Sequence, residues 1–167
     1  MSTLTIDIRH AEPQDAEAIA GTHRAAWSHA YAGILPYTAL RHMLERRNVG
    51  WWRRAVRGST SILVLDVGAV AGYATLGLNR ARSLPQEGEI YELYLKPEFQ
   101  GVGLGKRLFN EARHLLESLG CNGVVVWCLE DNHAATEFYR FQGGRDVAEG
   151  HETFDGKTLK KLAFVWS

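Results

Sequence analysis

Apolar and polar positions along the first part of the chain predict a short strand followed by helices. Ile6 and Ile8 alternate with polar neighbours, which is typical of a strand. Residues 13–30 carry apolar side chains at three- and four-residue intervals, Pro13 suits a first helical turn, and Gly33 ends the helix. Two further helical segments are predicted around residues 36–47 and 51–57.

The next segments predict strands. Two β runs, residues 61–67 and 69–78, are separated by a tight turn at Val67-Gly68 and predict a hairpin. Residues 80–88 contain Pro85 and Gly88 and predict a loop. Residues 89–95 then form another predicted strand, which Pro97 closes.

Helices and strands alternate in the second half of the chain. An apolar stripe over residues 104–119, stopped by Gly120, predicts a helix, and the continuous apolar run 123–128 predicts a strand in the middle of a sheet. Residues 132–141 predict a short helix, and Asp155-Gly156 predicts the turn of a final hairpin. This order implies an α/β fold, a mixed sheet with helices on both faces, in a single domain over residues 1–167.

Composition excludes some classes of partner. The 19 Lys and Arg residues balance 19 Asp and Glu residues, so net charge does not favour nucleic acid. No apolar run reaches the roughly 20 residues of a membrane helix, and residues 1–7 lack the layout of a signal peptide. We therefore expect a cytoplasmic protein without a membrane partner.

Cysteine and histidine spacing does not predict a metal site. Cys121 and Cys128 lie near a helix end and inside an apolar strand, which is poor evidence for a disulfide or a metal ligand. The seven histidines are scattered, and none forms the spaced pair with a glutamate that marks a zinc helix. We expect no metal.

A glycine-rich loop between a predicted strand and a predicted helix carries the strongest chemical signal. Gly101, Gly103 and Gly105 let the backbone approach a ligand closely, and the free N–H groups of the following helix favour an anion. Lys106 and Arg107 would add attraction for a pyrophosphate. The alternative is a simple tight turn. The spacing fits neither a Rossmann fingerprint nor a P-loop.

Two motifs resemble the GNAT acetyltransferases. Gln100-Gly101-Val102-Gly103-Leu104-Gly105 is similar to the Gln/Arg-x-x-Gly-x-Gly/Ala pyrophosphate loop of that family. Asn132, with Tyr139 seven residues later, resembles the family's second signature. Together the motifs cover residues 89–144.

The resemblance implies a fold, a co-substrate and the residues that hold it. The fold is a central, mostly antiparallel sheet of about seven strands, in which the parallel strands 93–95 and 124–128 splay apart. The co-substrate is acetyl-CoA, and the activity is N-acetyl transfer. The implied cofactor-binding residues are Leu93, Tyr94 and Leu95 by their main chain, Gln100, Gly101, Val102, Gly103, Leu104, Gly105 and Lys106 in the loop, and Asn132.

Direct acetyl transfer needs a base for the amine and a proton for the thiolate. Tyr139 occupies the family's general-acid position, with a core aromatic as the alternative. Glu92 is the predicted base, directly or through water, with Glu89 and Glu130 as rivals and a solvated carboxylate as the alternative for each. The aligned position one strand later is Trp127, which cannot accept a proton.

The acceptor side is less defined by sequence. Trp27 and Tyr31, four residues apart on the first helix, are candidates for the wall of an acceptor pocket, although such a pair also suits a core. The substrate is an amine of a small molecule or a protein, and a homodimer is a family-level expectation. The alternative function is a non-catalytic CoA-binding or ligand-sensing module.

Overall fold

One seven-stranded sheet runs through the molecule in the order β1-β2-β3-β4-β5-β7-β6. A computed structural model describes residues 5–167, so residues 1–4, on which part of the leader argument rests, lie outside the described residues. All neighbouring strands are antiparallel except β4 and β5. The strands are β1 Asp7–His10, β2 Ser61–Asp66, β3 Val70–Leu78, β4 Gly88–Leu95, β5 Val124–Leu129, β6 Arg145–Phe154 and β7 Lys157–Trp166. The predicted mixed, mostly antiparallel sheet is confirmed.

The helices lie close to their predicted positions, with two shifted starts. They are α1 Ala16–Tyr31, α2 Tyr37–Arg46, α3 Val49–Arg57, α4 Leu104–Ser118 and α5 His133–Phe141. Pro13–Asp15 forms a separate 3-10 turn, because the Asp15 carboxylate accepts the Glu12 N–H at 2.8 Å and fixes the chain there. Helix α3 begins at Val49, because the Asn48 side chain caps it by accepting the Trp51 N–H at 3.0 Å.

Helices cover both faces of the sheet, as the alternation along β2 demonstrates. Leu63 and Leu65 pack in the cluster that contains the apolar side of α4. Ile62 and Val64 pack on the opposite face with residues of α1 and α3. Successive side chains of a strand point to opposite faces, so each face of β2 has its own core.

The final hairpin turns as the sequence predicts. Asp155 and Gly156 have φ values of 45° and 85°, and Phe154 pairs with Lys157 across the turn. Two successive left-handed residues match the twist of the flanking strands.

The two parallel strands separate soon after they begin. They pair only at Gly88 with Val124 and at Glu89 with Val125. Beyond these positions β4 is held by β3 on its other edge, and β5 is held by β7. The divergence leaves a slot between β4 and β5, as the family resemblance implies.

A bulge in β4 decides which side chains face which layer. Thr75 pairs with Glu92 and Leu76 pairs with Ile90, so Tyr91 is an extra residue in the ladder. Ile90 and Leu93 both pack toward α4 although they are three positions apart. Glu92 therefore lies on the other face, where α1 and α3 pack.

Candidate active site

The glycine loop needs glycine for its backbone and not for lack of space. Gly101 and Gly103 have φ values of 79° and 86°, and no atom lies within 4 Å of the position where a Cβ would stand at either residue. Residues with side chains rarely adopt this left-handed conformation. The two turns swing the chain from the end of β4 into α4.

The start of α4 presents unpaired N–H groups beside this loop. Its first bond of the helical pattern runs from the Arg107 N–H to the Gly103 carbonyl at 3.4 Å, so the N–H groups of residues 104–106 have no acceptor within the helix. Leu104 is buried and anchors the turn, while Val102, Lys106 and Arg107 are exposed. The arrangement suits an anion such as a pyrophosphate.

Gln100 has a local role that the motif did not reveal. Its side-chain amide donates to the Leu95 carbonyl at 3.1 Å and ties the loop to the end of β4. The family-based assignment of Gln100 to the cofactor stays a prediction beside this contact.

The slot between β4 and β5 is bordered by the predicted pantetheine-binding strand. Leu93, Tyr94 and Leu95 pair with β3 on one edge, and their other edge faces the slot. The Tyr94 side chain points to the α1 face, where its hydroxyl bonds to that of Tyr31. Burial raises the pKa of Tyr31 to about 12, with Tyr94 and Asn132 hydrogen bonds acting in the opposite direction.

Helix α5 carries Tyr139, and Asn132 caps its start. Asn132 caps the helix by accepting the Ala135 N–H at 3.3 Å and is itself buried. Tyr139 is also buried, and its ring packs against an aromatic group made up of Phe109, Phe138, Phe164 and Trp166. Burial raises the pKa of Tyr139 well above its ordinary value, and Cys128 and Tyr31 raise it further. Tyr139 is therefore packed among core aromatics, and Cys128 and Tyr31 lie near enough to influence its phenol.

A cavity of about 1100 Å³ opens on the α1 and α3 face of the splayed strands. Trp27 and Tyr31, the two predicted acceptor-wall residues, both line it. Other lining residues are Leu35, Met43, Arg47, Trp51, Arg54, Arg80, Glu89, Tyr91, Glu92, Tyr94, Trp127, Cys128, Leu129, Glu152, Phe154 and Lys161.

Glu92 places a carboxylate in this cavity with two protein partners. The Arg47 Nη1 donates to both carboxylate oxygens at 3.3 and 3.2 Å, and the Thr75 hydroxyl donates at 3.1 Å. The Glu92 side chain is 11% exposed, so the group is shielded but borders the cavity.

The rival carboxylates are placed less favourably. Glu89 accepts the Arg80 backbone N–H at 3.0 Å and the Arg80 Nη2 at 3.0 Å, and it is almost fully buried. Glu130 is exposed and pairs with Lys160 at 3.6 Å, outside the lining of the cavity. Geometry therefore favours Glu92 among the three.

The floor of the cavity rests on a buried aromatic cluster that sequence reasoning missed. His23 is fully buried, its ring lies 4.5 Å from Trp27 and 5.7 Å from Trp52 between centroids, and Tyr73 lies at 6.4 Å. Within residues 5–167, neither His23 nitrogen has a hydrogen-bond partner. Burial, together with the positive charges of Arg47 and Arg24, lowers the pKa of His23 to about 3.

Comparison with known proteins identifies the family. Residues 23–143 match the model of the Acetyltransferase (GNAT) family. The chain belongs to this acetyltransferase family. The uncharacterized N-acetyltransferase YuaI of Bacillus subtilis is 27% identical over 96% of this chain and 92% of its own. The spermidine N(1)-acetyltransferase of Thermoplasma acidophilum is 25% identical over 84% of this chain and 88% of its own.

A solved structure has the same fold. The PaiA N-acetyltransferase of Thermoplasma acidophilum, solved in complex with coenzyme A, superposes with a TM-score of 0.77 at 21% identity, covering 95% of this chain and 98% of that one. By its membership of the family, the protein is an acetyl-CoA-dependent N-acetyltransferase, and its glycine loop has the free N–H groups that suit an anion. No helix among residues 5–167 is both long and apolar enough to cross a membrane.

The acetyltransferase fold brings most of the predicted site residues together around the slot. Arg47 and Thr75 are the neighbours of Glu92 that the sequence did not indicate, because they belong to no motif and contact Glu92 only once the chain has folded.

Proposed function

We propose that this enzyme acetylates an amine bound in the cavity beside Glu92, by direct transfer and with Glu92 as the proton acceptor. Bound acetyl-CoA supplies the acetyl group as a thioester, whose C–S bond breaks as the amine nitrogen bonds to the carbonyl carbon. The nitrogen must lose a proton and the departing sulfur must gain one, so the products are the N-acetylated amine and CoA thiol.

Glu92 carries the proposal because it borders the cavity beyond the point where β4 and β5 separate, whereas Glu89 lies at the paired seam and is closed in its ion pair with Arg80. The β4 bulge turns it away from the α4 core, and Thr75 and Arg47 hold its oxygens in position. A fixed carboxylate of this kind accepts a proton from the amine directly or through one water. The aromatic walls formed by Trp27 and Tyr31 would orient the acceptor.

Tyr139 is the proposed source of the proton that the departing sulfur gains. Because its pKa lies above the ordinary value, the phenol is protonated at neutral pH and can donate a hydrogen bond to the sulfur. The same high pKa makes it a weak acid, so we propose that the phenol stabilises the developing thiolate by this hydrogen bond, gives the sulfur its proton as CoA leaves, and is then reprotonated by water.

The cofactor side of the proposal rests on the loop and the slot. The main chain of Leu93, Tyr94 and Leu95 would meet the pantetheine amides, and residues 100–106 with Asn132 would hold the pyrophosphate and the CoA arm. The predicted cytoplasmic location, the homodimer and the single domain over residues 1–167 remain predictions within this proposal.

Calorimetric titration with acetyl-CoA tests the cofactor site. Gly103→Glu should reduce the affinity at least tenfold, because it puts bulk and negative charge into the pyrophosphate site. Gly120→Glu is the matched control: Gly120 ends the same helix with a φ of 88°, against 86° at Gly103, and no atom lies within 4 Å of either Cβ position. We expect the control to bind acetyl-CoA as the wild type does.

Equal loss in both variants would mean that backbone strain, and not the loop, is being measured. Absence of acetyl-CoA binding by the wild-type protein would overturn the proposed function and favour the ligand-sensing alternative.

A further inference from the structure

The Arg47 guanidinium is fixed at the wall of the acceptor cavity. It lies 4.0 Å from the Trp51 ring centroid, 5.5 Å from that of Trp52 and 6.0 Å from that of Trp27. Stacking on indole rings holds a planar cation in one orientation. Because the side chain is 26% exposed, it also keeps a surface toward the cavity.

Most of its hydrogen-bonding capacity is unused within the described residues. A guanidinium carries five N–H donors in a fork that matches a carboxylate. Both bonds to Glu92 come from Nη1, and over residues 5–167 no protein acceptor takes the N–H groups of Nη2 or Nε. The fork therefore has free donors beside the carboxylate that we propose as the base.

We infer that the acceptor of this acetyltransferase carries a carboxylate next to its amine, and that Arg47 binds that carboxylate while Glu92 receives the amine. The inference rests on the proposed function, because it assumes that the acceptor occupies this cavity. An α-amino acid carries its amine and its carboxylate on one carbon. Arg47 and Glu92 are 3.2 Å apart, so the two side chains can bind two groups that lie this close together.

The charge of the cavity supports an acceptor with a negative group. Its lining holds four cationic side chains, Arg47, Arg54, Arg80 and Lys161, and three carboxylates, Glu89, Glu92 and Glu152. The Arg80–Glu89 pair is closed on itself at 3.0 Å, which leaves an excess of one positive charge around Glu92. A polycation would be repelled by this wall, whereas an acceptor carboxylate would neutralise it.

The other residues that line the cavity indicate what side chain the acceptor carries beside its amine and carboxylate. The rings of Trp27, Trp51, Tyr94 and Trp127 offer wide apolar surfaces around the charged pair. Aromatic surfaces bind large apolar groups, and the cavity of about 1100 Å³ has room for one. The substrate class that fits is an α-amino acid with a large apolar side chain.

The test compares amino acids with their decarboxylated counterparts. The probes are L-phenylalanine with phenethylamine and L-leucine with isoamylamine, and spermidine is the polycation. Binding to the CoA-loaded protein is measured by calorimetry, and turnover of acetyl-CoA is measured by thiol release. For the wild type, the carboxylate should improve affinity and kcat/KM about 10- to 100-fold within at least one pair, as for a charge-assisted hydrogen bond.

Arg47→Gln should bring that ratio close to one, and Arg46→Gln, an exposed neighbour outside this cavity, should leave it unchanged. Each ratio is taken within one variant, so a loss of folded protein cancels. The inference is overturned if neither amino acid binds better than its counterpart, if spermidine binds best, or if Arg47→Gln keeps the ratio. A binding preference without thiol release for any amine would instead overturn the proposed function.

Discussion

Glu92 owes its place in the cavity to two neighbours that are distant in sequence. Thr75 comes from the adjacent strand and Arg47 from the end of α2, and each donates a hydrogen bond to the carboxylate. With both partners in place the side chain has one orientation, so the carboxylate need not be ordered when an acceptor arrives. The proposed role of Glu92 as the base therefore depends on Thr75 and Arg47 as well as on the carboxylate itself.

Replacing Glu92 by glutamine tests its role as the base. The amide keeps the size of the side chain but cannot take a proton, so kcat should fall about 10²- to 10⁴-fold, the usual contribution of a general base. The affinity for acetyl-CoA should be unchanged. Steady-state thiol release at saturating acetyl-CoA, together with calorimetry, measures both quantities.

Glu130→Gln is the control for this substitution. Glu130 is the rival base, and it lies exposed beside Lys160, so its removal should leave kcat within about twofold because surface pairs contribute little. A large loss in Glu130→Gln with normal activity in Glu92→Gln would reverse the assignment.

The residues that sequence could predict are those whose role is local. The loop of Gly101 and Gly103 could be predicted because it depends on neighbouring residues only, although the structure shows that these glycines serve a left-handed backbone conformation and not the close approach that the sequence suggested. Arg47 could not be predicted, because its contact with Glu92 exists only once α2 has packed against the sheet. Glu89 and Glu92 could not be separated either, since the bulge between them has no sequence pattern of its own.

Helices α1 and α3 meet strand β3 through the buried aromatic cluster around His23. The ring of Trp52 lies 4.9 Å from that of Tyr73, and both are fully buried. A neutral imidazole is compatible with this packing, whereas an imidazolium would place an unpaired charge in the cluster. The cluster therefore makes the attachment of α1 and α3 sensitive to acid.

The free energy of unfolding should decrease as the pH is lowered, because of His23. Its pKa drops from the ordinary 6.5 to about 3 on folding, so below pH 6.5 the unfolded chain binds a proton that the folded chain refuses. The contribution of this neutral histidine is complete above pH 6.5 and is lost toward pH 3, at roughly 1.4 kcal/mol per pH unit. Urea unfolding at pH 7 and pH 5 should show a decrease of about 2 kcal/mol from this residue.

His23→Leu should remove that decrease, because no proton can then bind at this position in the unfolded chain. His29 lies exposed on the same helix, so His29→Gln should keep the wild-type pH dependence. If His23→Leu and the wild type lose the same stability between the two pH values, the histidine is not the acid-sensitive group.

At the scale of the whole molecule, the sheet consists of two parts joined by a short seam. Strands β1 to β4 form one part and β5, β7 and β6 the other, and only two register pairs link β4 to β5. A cofactor in the slot would contact both parts beyond the seam. Binding should therefore stabilise the junction more than the interior of either part.

Hydrogen exchange followed by mass spectrometry measures this effect. With CoA at about 100 times its Kd, amides of residues 90–95 should exchange up to about 100-fold more slowly, because the ligand adds about 2.7 kcal/mol to any opening that releases it. Amides of the β6–β7 hairpin, which is paired along its length, should change far less. Uniform slowing across both regions would indicate that exchange occurs only by global unfolding.

The extra residue in β4 makes the position of Glu92 depend on the register of the strand as well as on which residues the strand contains. In a regular strand of the same residues, Ile90 and Glu92 would share a face and Glu92 would point toward the α4 core. Because Tyr91 is an extra residue in the ladder, Glu92 points to the cavity instead. Deleting Tyr91 would make the strand regular and still leave Glu92 opposite Ile90, on the cavity side. A strand that kept Tyr91 but lost the bulge would exchange the faces of the residues after it. In a relative of this protein, the glutamate would therefore face the cavity only where its spacing from the residues corresponding to Ile90 and Leu93 agrees with the presence or absence of the bulge.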